Sequence, residues 1–154
     1  MPPPFVVDAS IWIRIGRNHP RDIFKRLWTQ LDQAVSDGVL RSPEEVLHEL
    51  ERGDDELAKE LGAHDGLFLP LDQALGDATA AVQAACHLTD PDGERSRGDP
   101  FVVACAQLNG WTVLSGERPR KGPNAQMRIP DACEHLKIPH LDWFTFLREM
   151  KWDL

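Results

Sequence analysis

At 154 residues, 42% of them hydrophobic and 27% charged, the chain has ordinary globular composition and the length of one domain, 1–154, able to fold without disulfide or metal staples. Seventeen Lys and Arg against 25 Asp and Glu leave a net charge of −8, which excludes a protein that holds nucleic acid by bulk charge but not an enzyme that acts on it. The prolines at 2–4 lack the basic-then-apolar pattern of a signal peptide, no uncharged stretch is apolar and long enough to span a membrane, and three cysteines without an export signal are expected in a reducing cytoplasm.

Phe5-Val6-Val7 reads as a buried strand that stops at Asp8 and feeds a short helix carrying Ile11, Trp12, Ile13 and Ile15. Ile23, Phe24, Leu27, Trp28, Leu31 and Val35 recur at helical spacing until Gly38, and Val39-Leu40 follows as a second strand. Ser42-Pro43-Glu44-Glu45 predicts a helix start, with Ser42 as N-cap, Pro43 in the first turn and Glu45 at the capping-box position. That helix ends at Gly53, and 54–61 reads as another. A brief extended segment at 67–69 precedes a helix with Leu71, Leu75, Ala78, Val82 and Ala85 on one stripe. Pro91-Asp92-Gly93 opens a polar loop to Gly98. Asp99-Pro100 then starts a helix apolar nearly all round, which Asn109-Gly110 ends. Trp111 to Leu114 is a strand, followed by Ser115-Gly116-Glu117 and a basic loop. A short helix at 131–136, a last strand at 137–140 and an amphipathic helix at 142–150 complete the chain.

Short apolar strands alternating with helices predict an α/β fold, a parallel sheet covered by helices on both faces. In such sheets ligands bind outside the carboxyl ends of the strands. Acids gather there: Asp8 and Glu117 follow two strands, Asp99 opens the buried helix, and Glu49 lies on the helix after the second strand. Each taken singly has an ordinary reading. Asp8 and Asp99 can be N-caps, Glu49 part of a solvated face, and Glu117 a partner of Arg118 or Arg120. Those readings do not explain four acids on one rim with no Lys or Arg expected among them. Converging carboxylates repel, and a hard divalent cation with oxygen ligands relieves the repulsion. Mg²⁺ or Mn²⁺ held this way can position water and neutralise charge developing on a phosphodiester.

Four motifs now stand in order: Asp8-Ala9-Ser10 after a strand, Glu-Glu-Val-Leu-His-Glu-Leu at 44–50, Asp-Pro-Phe-Val-Val-Ala-Cys-Ala at 99–106, and Thr-Val-Leu-Ser-Gly-Glu at 112–117. Together they resemble the PIN domain over essentially the whole chain, most closely a bacterial and archaeal subfamily related to VapC-type ribonuclease toxins. The resemblance implies a three-layer α/β/α fold and a ribonuclease that cuts single-stranded RNA with Mg²⁺ or Mn²⁺, working as a toxin silenced by an antitoxin protein. Carried over, it makes Asp8, Glu49, Asp99 and Glu117 metal-binding carboxylates, with the Ser10 hydroxyl beside them. Glu45 and Glu49 are one helical turn apart and either fits the second motif; Glu49 is favoured because it stands just before the leucine. The fourth position is more often Asp in the family, so the longer Glu117 is left as a direct or a water-mediated ligand.

Arg118, Arg120, Lys121 and Arg128 follow Glu117 with no intervening acid, as a solvated loop or as contacts to RNA phosphates. Arg14, Arg17, Arg21, Lys25 and Arg26 can meet phosphate, an acidic partner or only water. Cys86, His87, Cys133, His135 and His140 lack the spacing of a zinc site. Trp143, Phe144, Phe146 and Trp152 can form a homodimer surface. An aspartyl-nucleophile phosphatase would want an acid where Ser10 stands, and no glycine-rich phosphate loop is present. The alternative from another class is a non-catalytic PIN-like module that binds RNA or protein with its carboxylates idle.

Overall fold

Phe5, Val6 and Val7 form β1 (Phe5–Val7), and none is more than 4% exposed. A strand buried on both faces belongs in the middle of a parallel sheet. β1 takes that place. The computed structural model describes residues 4–89 and 97–154; the loop expected to open at Pro91-Asp92-Gly93 lies outside the described residues. After β1 come α1 (Ala9–Asn18), α2 (Lys25–Ser36), β2 (Leu40–Pro43), α3 (Glu44–Gly53), α4 (Asp55–Gly62), β3 (Phe68–Leu69) and α5 (Gln73–Cys86). Then follow α6 (Asp99–Asn109), β4 (Thr112–Leu114), α7 (Ile129–Leu136), β5 (His140–Leu141) and α8 (Trp143–Met150).

All strand pairs are parallel, in the order β3-β2-β1-β4-β5. From β1 the chain builds outward to β2 and β3, then returns to lay β4 on the other side of β1. This reversal opens a crevice at the carboxyl ends of β1 and β4. Val7 is level with Leu114, so the next residues, Asp8 and Ser115, stand side by side there. Helices flank the sheet. α1 buries Ile11, Trp12 and Ile15, and α6 buries Val102 to Ala106 without a polar face, as its sequence demands. Gly110 ends α6 in the left-handed conformation (φ 70°), which an L side chain resists.

Several expectations are corrected. Ser42 is not an N-cap: it is the third residue of β2, fully buried, and Pro43 holds the cap position with no side-chain bond. Its hydroxyl accepts from Trp12 Nε1 (3.1 Å) and donates to the Val7 carbonyl (2.7 Å). A buried indole needs an acceptor, and that need outweighs the local capping pattern. Ile23 precedes α2 and is 70% exposed, while Leu71 and Ala85 lie off the buried stripe of α5, which is Leu75, Thr79, Val82 and Cys86. The last strand is His140–Leu141, and α7 starts at Ile129, two residues before the expected boundary. Trp143 and Phe146 are core residues, stacked with ring centroids 5.7 Å apart, so the expected aromatic homodimer surface is reduced to exposed Phe144 and half-buried Trp152.

Candidate metal centre

Asp8 occupies the N-cap position of α1 in extended conformation, yet its carboxylate makes no capping bond. Its Oδ2 instead accepts from Ser10 Oγ (2.6 Å) and Ser115 Oγ (3.3 Å). Asp99 is not an N-cap: Gly98 holds that place, and Asp99 is the first residue of α6. Asp8 thus takes the expected cap position without a side-chain cap bond and Asp99 does not take it, and both are buried, at 2% and 4% exposure. Glu117 lies beyond β4, where its Oε2 accepts the Ile129 N–H at the start of α7 (2.9 Å). It forms no salt bridge to Arg118 or Arg120. One carboxylate oxygen from each of Asp8, Asp99 and Glu117 lies within 4.8 Å of the others. Among the described residues this is the only group of three or more His, Cys, Asp or Glu side chains so placed.

Glu49 stands apart from the trio. It is half-buried on α3, and its Oε1 accepts the Gly98 N–H, tying α3 to the start of α6. A Cβ at position 98 would come within 2.6 Å of that oxygen, so any larger residue there requires the Glu49 carboxylate to shift. Glu45 turns elsewhere, its Oε2 lying 3.3 Å from His48 Nδ1.

Burial pushes the Asp8 carboxyl well above the usual carboxylate range, and the charges of Glu117 and Glu49 push it further, against the opposing Ser10 hydrogen bond. Burial also raises Asp99, reinforced by the charges of Asp8 and Glu117, a hydrogen bond with Glu117 and the charge of Glu49. Glu49 itself is raised, chiefly by burial. Carboxyls that resist ionisation only because they are buried together suit a cation that supplies the missing positive charge. The donors are oxygens throughout, which fits Mg²⁺ or Mn²⁺ rather than a thiolate-seeking metal. Burial pushes the nearby Cys133 thiol up to about 12, with Cys86, Asp8 and Glu117 adding to it, so it stays protonated.

The basic residues separate into kinds. Arg120 staples its own loop, its guanidinium donating to the carbonyls of Pro123 (3.3 Å) and Ala125 (3.2 Å) while its N–H reaches Asp131. Arg118 and Lys121 are exposed. Arg21 ties Asp32 (2.8 Å) to Glu60 and sits 4.4 Å over the Trp28 ring. Arg14 approaches the site: a Cβ on Gly116 would lie 3.4 Å from both Arg14 Nη2 and Ser10 Oγ.

Sequence reasoning missed Ser115. Its buried hydroxyl donates to Asp8 and accepts the Glu117 N–H (3.1 Å), coupling two of the three acids. The signal was present: one residue past β4 is the neighbour of one residue past β1, once those strands are paired.

The fold is similar to that of a chain in the crystal structure of FitAcB from Neisseria gonorrhoeae. The TM-score is 0.54 at 14% identity, covering 89% of this chain and 96% of that one. With the parallel sheet and its flanking helices, this establishes a PIN-like three-layer architecture. No curated protein matches the chain significantly. The family model DUF4411, a domain of unknown function, matches residues 5–154, and the chain belongs to that family.

Proposed function

We propose that residues 1–154 form a single nuclease domain, a Mg²⁺- or Mn²⁺-dependent endoribonuclease that acts in the cytoplasm as the VapC-like toxin of a type II toxin–antitoxin pair. The observation that carries this reading is the trio Asp8, Asp99 and Glu117, three oxygen ligands within 4.8 Å at the switch point of a parallel sheet. A divalent cation held by Asp8, Asp99 and Glu117 would supply Lewis acidity and neutralise charge developing on the phosphodiester. Ser10 and Ser115 hold one oxygen of Asp8, and the Ile129 N–H holds one oxygen of Glu117, so both carboxylates are oriented before any ligand arrives. Glu49 adds negative charge felt by Asp8 and Asp99, which favours cation binding. The PIN-like fold agrees with this chemistry, and the resemblance to toxin ribonucleases motivates the antitoxin partner.

The test is incubation of the purified protein with total RNA in Mg²⁺, in Mn²⁺ and in EDTA, beside Asp8→Asn. Cleavage that needs the metal and is lost in the variant supports the reading. RNA left intact in both metals by wild type removes it, and the non-catalytic module then takes its place. Wild type should also slow growth of a bacterial host while Asp8→Asn does not, and co-expressed antitoxin should restore growth.

A further inference from the structure

A cleft of about 720 Å³ opens beside the trio, between α1, the segment after β4 and the start of α8. Glu117 belongs to both places, since it is one of the three clustered acids and also lines the cleft. Arg14 and Arg118 line it as well, and among the described residues neither forms a salt bridge. The mouth carries Phe144, 58% exposed although its neighbour Trp143 is buried. A large apolar ring left in water beside two arginines has no part in the fold described above. Glu117 and Asp142 are the carboxylates of the cleft; Asp142 accepts the Thr145 N–H (2.8 Å) as the N-cap of α8, and that bond holds its carboxyl below the usual range, with Arg14 among the charges that add to the effect.

Cations beside an aromatic face are what a single strand needs. Guanidinium groups take phosphate, and a ring stacks an unpaired base whatever its identity. An acidic protein segment would use the arginines but would have no claim on continuity with a phosphodiester-cleaving centre. We propose that this cleft is a nucleotide subsite of a single-stranded RNA, with one base stacked on Phe144 and the adjoining phosphates against Arg14 and Arg118. The strand enters the carboxylate centre past Glu117. The assignment rests on the ribonuclease reading and names how that site takes its substrate.

The experiment measures binding of a fluorescein-labelled single-stranded RNA of randomised sequence to the Asp8→Asn protein, which leaves the strand uncut. In that background Phe144→Ala should weaken binding at least about fivefold, Phe144→Trp should restore it, and Phe144→Leu should not, because stacking needs a ring. Replacing Arg14 and Arg118 together by Ala should flatten the plot of log affinity against log salt by about 1.4, at roughly 0.7 per phosphate contact. Circular dichroism of each variant checks that the fold is retained. Phe144→Ala binding as tightly as its parent overturns the subsite, as does Phe144→Leu binding as tightly as Phe144→Trp, the mark of a plain apolar contact made for a protein partner. The two readings fail separately. Metal-dependent cleavage by wild type with no effect of Phe144→Ala removes the subsite alone, whereas ring-dependent strand binding by a protein that never cleaves removes the nuclease.

Discussion

Asn in place of Asp8 or Asp99 keeps the side chain's size and removes its charge. Each change should therefore lower RNA cleavage at least about a hundredfold, since the Lewis-acid contribution is several kcal/mol and each 1.4 kcal/mol is a factor of ten. Neither should unfold the protein. Because burial and neighbouring acids oppose ionisation of Asp99, Asp99→Asn should unfold at the same or higher urea concentration than wild type in EDTA, and an initial-rate assay checks the activity. Gly98 makes a sharper test of how Glu49 is held. Gly98→Ala puts a Cβ against Glu49 Oε1, the movable end of a side chain, so Glu49 should shift and loosen its bond to the N–H of position 98, at a cost of about 0.5–1.5 kcal/mol, the net worth of one hydrogen bond. Combined with Glu49→Ala the cost should shrink, so a cycle of urea unfolding curves should show coupling between the two positions. Asp8, Asp99 and Glu117 were legible from sequence because each follows or opens an element. Ser115 was not, because its importance comes from the pairing of Val7 with Leu114, 107 positions apart.

Local rules placed the elements where local physics decides and failed where a distant group competes. The apolar stripe of α1, the nearly all-apolar α6 and the breaks at Gly38 and Gly110 all follow neighbouring residues. Ser42 reads as a cap and is instead the acceptor for Trp12, 30 positions away, because an unsatisfied indole in the core is costlier than an uncapped helix end. α7 begins early because Asp131 accepts the N–H groups of Arg120 and Arg128, drawing the basic loop onto the helix start. That bond divides the loop's arginines by role. Arg118→Ala should lower the salt slope of RNA binding by about 0.7. Arg120→Ala should leave the slope nearly unchanged but speed proteolytic nicking within 118–128, because it removes the two carbonyl contacts that fold the loop back. Limited proteolysis followed by mass spectrometry reads the second effect.

For the whole molecule, the raised Asp8, Asp99 and Glu49 carboxyls set an unusual dependence on pH. Below the unfolded values, 3.8 for Asp and 4.5 for Glu, folded and unfolded chains are both protonated at these groups and nothing is lost. As pH rises from there toward the folded values, the unfolded chain releases protons that the folded chain keeps, so stability declines. In EDTA the melting temperature of wild type should therefore fall relative to Asp99→Asn as pH goes from about 5 to 8. A bound cation reverses the trend, since it takes the ionised form. Saturating Mn²⁺ at a hundred times its dissociation constant should add about 2.7 kcal/mol to wild type and most strongly at higher pH. Among the described residues no helix is long and apolar enough to cross a membrane.

The parallel sheet could be read from the alternation of short apolar strands with helices, while its strand order could not, because nothing local says that β4 returns beside β1. That return builds the crevice, and the central claim is that the crevice holds a divalent cation. Calorimetric titration of Mn²⁺ into metal-free wild type and Asp99→Asn at neutral pH tests it most directly. Saturable binding with proton release in wild type, lost or much weakened in Asp99→Asn, is the predicted result. No binding to wild type, or equal binding to both proteins, would contradict it.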